Sequence, residues 1–235
     1  MPIDLQHPEV SFALQAACAA GHLAKTIQTS MTVEGVEKKD LSPVTVADFS
    51  CQAVVAQALR EQFPEAVLVG EEDSGLLREE NQSEVLQLVT DYVKQVLPDA
   101  TSDSVCEWID AGNGQACERF WTLDPIDGTK GYLRGEQYAV ALALIESGKV
   151  SLGVLVCPNL GMDASSEVAE DGTIFVAQRG KGCWRAPMSA PDHLEQIHVS
   201  DCASIEKARL LRSVESGHTN TGTMGTLVEA MNIEA

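Results

Sequence analysis

The 235-residue chain carries 35 acidic against 16 basic side chains, a formal net charge of −19. That balance disfavours nucleic acid polymers and anionic membrane surfaces as partners, yet leaves a small phosphate ester within reach if cations bridge the two. With 44% hydrophobic residues and no stretch of membrane-spanning length, the composition argues against wholesale disorder and a transmembrane helix, and for a core large enough for one large domain or two small ones.

In chain order, Pro8 and Glu9 open a helix over 8–29, with Ala13, Ala16, Ala17, Ala20, Leu23, Ala24 and Ile27 at helical spacing. A polar loop over 35–43 follows. Thr45 is placed to cap a second helix that runs to Phe63 and is stopped by Pro64. Residues 66–69 read as a short strand before Gly70. Ser83 starts a third helix with the stripe Val85, Leu88, Val89, Tyr92, Val93 and Val96, ended by Pro98. The small, polar residues 99–117 read as a surface excursion, and 119–123 as a strand aimed at Asp124. Residues 138–145 and 150–156 form a hairpin about Ser147-Gly148-Lys149. Further strands are expected at 173–177, 196–199 and 209–214, and a helix at 226–231. Gly180-Lys181-Gly182 lacks the spacing of a phosphate-binding loop and reads as a turn between strands. Helices first, then mostly antiparallel strands, predicts a layered α+β fold rather than a doubly wound parallel sheet.

The seven cysteines are odd in number and form no CxxC pair. They read as free thiols of a reducing compartment, and no leader or transit segment is discernible, so a cytoplasmic location is expected. Asn81-Gln82-Ser83 matches a glycosylation sequon by chance.

Three acidic clusters carry the chemistry. Ser42-Pro43-Val44-Thr45-Val46-Ala47-Asp48 lies at a helix start, Gly70-Glu71-Glu72-Asp73 follows a strand, and Asp124-Pro125-Ile126-Asp127-Gly128-Thr129 follows another. Pro125 and Gly128 permit a sharp turn on which Asp124 and Asp127 converge, with the Ile126 carbonyl able to turn the same way. Oxygen-only donors suit a hard cation such as Mg²⁺. A carboxylate from Gly70-Glu71 would complete a bridge between two cations roughly 3.5–4 Å apart, the arrangement that stabilises both oxygens of a phosphoryl transfer. Glu71-Glu72-Asp73 alone reads as an ordinary solvated turn and Asp48 alone as an ordinary helix-start residue, whereas the Asp124–Gly128 turn favours the metal reading even by itself; the case rests on all three occurring in order.

These segments resemble the inositol monophosphatase superfamily, whose signature combines Gly-Glu-Glu with Asp-Pro-Ile/Leu-Asp-Gly-Thr. The run from Asp124 to Tyr138, with Lys130-Gly131-Tyr132-Leu133-Arg134-Gly135, is similar to the 3'(2'),5'-bisphosphate nucleotidase branch, as are Ser42-Pro43-Val44-Thr45 and Cys157-Pro158-Asn159-Leu160. The resemblance spans about 8–230. It implies a layered α/β sandwich of the inositol monophosphatase and fructose-1,6-bisphosphatase type, and removal of the 3'-phosphate from adenosine 3',5'-bisphosphate, with 3'-phosphoadenosine 5'-phosphosulfate as a further candidate. It implies that Glu71, Asp124, Asp127 and the carbonyl of Ile126 bind two or three Mg²⁺, that Asp48 and Thr129 position and deprotonate water, that Thr129 and His218 meet the substrate, and that Li⁺ inhibits. Lys130 and Arg134 lie beside the metal loop and are either phosphate contacts or surface charges. A small nucleotide bisphosphate is the expected partner, with no nucleic acid polymer, no membrane and no obligate protein partner.

The chain departs from the pattern after Ala235, where family members continue to a Trp-Asp motif with a further metal ligand. The expectation is therefore a single phosphatase region over 1–235. It comprises a metal-binding α+β part at about 1–160 and the incomplete start of a C-terminal subdomain at about 161–235. Two alternatives stay open: a phosphatase of inositol phosphates, and an inactive truncated fragment.

Overall fold

The computed structural model describes residues 3–33, 42–165, 167–201, 203–204 and 225–226. The chain divides into two compact units, Met1–Ile197 and His198–Ala235; the second contains few described residues. The strand expected at 209–214 and His218 lie outside the described residues, as does most of the helix expected at 226–231.

In the first unit, two long helices precede the sheet. Helix α1 (Pro8–Val33) and helix α2 (Pro43–Gln62) pack on one another. Strand β1 (Leu68–Val69) is followed by helices α3 (Ser83–Val93) and α4 (Ser102–Asp110). The rest is a run of strands, β2 (Arg119–Asp127), β3 (Ala139–Glu146), β4 (Lys149–Cys157), β5 (Thr173–Gln178), β6 (Gly182–Pro187) and β7 (Glu195–Ile197), with the short helix α5 (Thr129–Leu133) between β2 and β3. The seven described strands form one sheet in sequence order; β1 and β2 run parallel and every later pair is antiparallel. This is the expected α+β layering.

The β3–β4 turn uses Ser147 and Gly148, both with positive φ (49° and 72°), which suits the twist of a two-residue hairpin. The sheet buries alternate residues against the helices: Val140, Leu142 and Leu144 on β3, Leu152, Val154 and Val156 on β4, Ile174 and Val176 on β5. Phe12 of α1 joins helix to sheet. Its ring meets Trp121 edge-on at 5.0 Å and Phe63 at 5.5 Å, geometries that add to the gain from area burial. The opposite face, with Ala141, Ala143, Gly153 and Leu155, is only half covered by the described residues.

Two expectations need correction. Residues 99–117 are not an excursion, since α4 occupies 102–110. Thr101 caps it, with its hydroxyl accepting from Ser104 N–H while the Ser104 hydroxyl accepts from Thr101 N–H, and Val105, Cys106 and Ile109 are buried. Helix α2 also starts earlier than Thr45. Pro43 is its first residue, because the fixed φ of proline suits that position, and the Ser42 side chain makes no capping bond. Asp48 therefore sits in the second turn of α2, not the first.

Candidate metal and active site

Three elements deliver the acidic residues to one neighbourhood. Helix α2 carries Asp48. The loop after β1 carries Gly70-Glu71-Glu72. The end of β2 carries Asp124, Ile126 and Asp127. Because β1 and β2 are parallel neighbours, with Val69 opposite Thr122, the loop after one lies beside the end of the other.

Strand β2 continues through the acidic turn rather than stopping at Leu123. Its pairing with β3 slips between Asp124 and Asp127, a bulge where Pro125 forfeits no ladder bond. Gly128 then adopts φ 94°, a left-handed conformation that costs glycine little, and the chain turns directly into α5 at Thr129. The following run, 130–137, is held from behind by buried amides. Gln28 of α1 donates to the Tyr132 carbonyl (2.7 Å), and Asn159 donates to Gln28 Oε1 (3.0 Å) and to the Glu136 carbonyl (2.7 Å).

The electrostatics report the convergence. Burial, followed by the charges of Glu72, Glu71 and Asp124, pushes the Asp48 carboxyl up to about 8. Burial, then Glu71 and Asp127, pushes Asp124 up to about 6, against the lowering effect of the Ile126 N–H that donates to it. Glu72 is raised by burial and by Glu71, Asp73 and Asp124. Carboxylates drawn from three elements thus repel one another with no basic side chain among the causes, the pattern expected where cations are to be held. Among the described residues, one oxygen of Asp124, Oδ1, is buried without a hydrogen-bond partner.

Among the described residues, no three His, Cys, Asp or Glu side chains already form a closed metal-ligand set. In donor chemistry the site fits a hard divalent ion: oxygen donors, surplus negative charge and an orphaned carboxylate oxygen.

Of the residues read from the sequence, Asp48, Glu71, Asp124 and Asp127 are brought together, and Ile126 is buried between the last two. Thr129 is exposed at the start of α5. Sequence reasoning did not single out Glu72 as a member of the site, nor Gln52, whose amide binds the Glu71-Glu72 backbone. A polar residue four positions after Asp48, inside an apolar helix stretch, was the available signal.

The inositol monophosphatase family matches over residues 5–232. The chain belongs to the inositol monophosphatase family. Similar relatives include a 3'(2'),5'-bisphosphate nucleotidase of Schizosaccharomyces pombe, 36% identical over 96% of this chain and 69% of its own length. Another is the 3'(2'),5'-bisphosphate nucleotidase 1 of Arabidopsis thaliana, 36% identical over 97% of this chain and 70% of its own. Among solved structures, CysQ from Bacteroides thetaiotaomicron aligns with a TM-score of 0.52 at 17% identity, over 98% of this chain and 73% of that one. Staphylococcal IMPase-II aligns with a TM-score of 0.54 at 14% identity, over 96% and 62%. The Mycobacterium tuberculosis SuhB structure aligns with a TM-score of 0.50 at 18% identity, over 84% of this chain and 54% of that one, so this chain spans about half of its length. At these identities the structures establish the inositol monophosphatase fold alone.

Proposed function

We propose that this chain acts as a Mg²⁺-dependent phosphomonoesterase that removes the 3'-phosphate of adenosine 3',5'-bisphosphate, giving AMP and phosphate. The observation that carries the reading is the convergence of Asp48, Glu71, Glu72, Asp124 and Asp127 from a helix, a loop and a strand end, where Asp124 Oδ1 is buried without a partner among the described residues. Glu71, Asp124, Asp127 and the Ile126 carbonyl would hold the cations. When bound, these supply positive charge against the phosphoryl oxygens and make a neighbouring water more acidic. Asp48 is held on a helix in a poorly solvated place beside these ligands, and once bound cations offset the neighbouring negative charge its ionised carboxylate would accept a proton from the attacking water. Thr129, two residues beyond Asp127, would orient that water by accepting from it while donating to Asp48.

The nucleotide assignment is supported by the Lys130–Gln137 run and by the names of the two relatives above. Lys130 and Arg134 follow the acidic turn in sequence, Arg134 pairing with Glu136 at 2.6 Å, and are proposed to meet a second phosphate on the substrate. His218 is proposed to meet the nucleotide, and 3'-phosphoadenosine 5'-phosphosulfate is proposed as a second substrate. Phosphate release from adenosine 3',5'-bisphosphate and from inositol 1,4-bisphosphate, compared at equal Mg²⁺, tests the assignment. Faster release from the nucleotide is expected. Equal or faster release from the inositol ester would overturn the substrate and leave the phosphomonoesterase chemistry standing.

A further inference from the structure

Helix α2 presents a second polar side chain toward the site. Gln52 lies four residues after Asp48, hence on the same helix face, and is fully buried at 0% exposure among Phe49, Cys51, Ala53, Val54 and Val55. Its amide makes four hydrogen bonds. Oε1 accepts from the N–H groups of Glu71 (3.1 Å) and Glu72 (3.0 Å). Nε2 donates to the carbonyls of Glu72 (2.5 Å) and Ile109 (2.8 Å). A primary amide offers two donor hydrogens and two acceptor sites, so Gln52 is saturated, and turning it over would lose all four bonds. The surrounding backbone closes on it. A Cβ placed on Gly70 would lie 2.3 Å from Oε1, and one on Gly112 would lie 2.5 Å from Nε2. The glycine of the Gly-Glu-Glu motif is therefore needed for close approach to this amide.

We infer that Gln52 is a positioning residue for the Glu71 and Glu72 carboxylates, holding their backbone at a fixed distance from Asp48. The inference rests on the metal-site reading above. One helix thus carries both a reacting carboxylate and the clamp that sets the facing ligand loop, and the clamp is anchored to the end of α4 through Ile109. Groups that orient metal ligands commonly change metal affinity by roughly 10–100-fold when removed. An apolar side chain of similar length leaves the N–H groups of Glu71 and Glu72 and the Glu72 carbonyl without these partners, while the Ile109 carbonyl keeps its bond from Gly112 N–H.

The test uses Gln52→Met beside wild type and beside Thr90→Ala, a control that removes a buried hydroxyl bonded to the Leu86 carbonyl in α3. Two quantities are measured: the dissociation constant for Mn²⁺, used alone as the probe ion, and hydrogen exchange of the Glu71 and Glu72 amides. Gln52→Met is expected to weaken Mn²⁺ binding at least tenfold and to accelerate exchange at both amides, while Thr90→Ala changes neither. A folded Gln52→Met protein with wild-type exchange at those amides would overturn the positioning role. So would faster exchange with unchanged Mn²⁺ affinity. If wild type itself binds no Mn²⁺, the metal reading fails, and the exchange result still decides whether Gln52 holds the loop. Should Gln52→Met not fold, Gln52→Glu serves in its place. It keeps an acceptor for both amides but cannot donate when ionised, so it should protect those amides better than Gln52→Ala does.

Discussion

Gly70→Ala is a one-methyl change whose cost the structure sets. Gly70 does not have a positive φ, so alanine meets no backbone strain there, and the penalty is steric alone. The new Cβ would lie 2.3 Å from Gln52 Oε1, 2.6 Å from its Cδ and 3.0 Å from its Nε2. Restoring ordinary contact requires a shift of about 1 Å, and an amide held by four bonds in a close-packed interior cannot give that much without breaking the two to Oε1. Overpacking costs about 1–3 kcal/mol, and buried N–H groups left unsatisfied cost about 1–3 kcal/mol each. The lower chain entropy of unfolded alanine returns about 0.4–1 kcal/mol. A net loss of at least about 2 kcal/mol is expected, read from urea unfolding followed by circular dichroism at pH 7. In a Gln52→Ala background the same substitution should cost at least about 1 kcal/mol less, since the atom it strikes is gone. A loss below about 0.5 kcal/mol in the wild-type background, or equal losses in both, would refute the argument.

Other outcomes follow from the same geometry. Asp127→Ala should abolish Mg²⁺-dependent phosphate release in any active form of the protein, and near-normal turnover would remove Asp127 from the metal site. Phe12→Ala should cost about 3–5 kcal/mol in urea unfolding, because it empties the space between Phe63 and Trp121; a loss under about 1 kcal/mol would contradict the packing. Asp110 accepts from Ser74 N–H (2.8 Å), the Ser74 hydroxyl (2.8 Å) and Arg78 (3.1 Å). Burial alone would raise its carboxyl, but these bonds outweigh that and hold it below its ordinary value of 3.8. Its stabilisation is complete above that value and is lost as pH falls through the lower folded-state one. Asp110→Asn should therefore cost about 1–2 kcal/mol at pH 7, reduced from a fully buried case by solvent screening. The difference from wild type should shrink as pH drops below 3.8, and a pH-independent difference would contradict the sign.

The parts of the fold legible in the sequence were those with local signals. Helix α1 declared itself through apolar spacing, α2 through its stop at Pro64, and the β3–β4 hairpin through Ser147-Gly148. The acidic turn was legible because proline and glycine bracket its two aspartates. Helix α4 was not, because its polar surface residues mask a narrow buried stripe of Val105, Cys106 and Ile109. The signal lay in the reciprocal bonds of Thr101 and Ser104, which a reading of apolar spacing overlooks. Gln52 was hidden for another reason. Its partners lie 19, 20 and 57 residues away, so its role exists only once β1 and α4 are packed against α2. The grouping of Asp48 with Glu71, Glu72 and Asp124 likewise depends on packing that no local window contains.

The most direct test of the central claim is phosphate release from adenosine 3',5'-bisphosphate by this 235-residue chain across a Mg²⁺ titration, with and without Li⁺, wild type beside Asp124→Asn. The account predicts release that rises with Mg²⁺, falls with Li⁺ and disappears in the variant. Release that is indifferent to Mg²⁺, or that survives in Asp124→Asn, would contradict it.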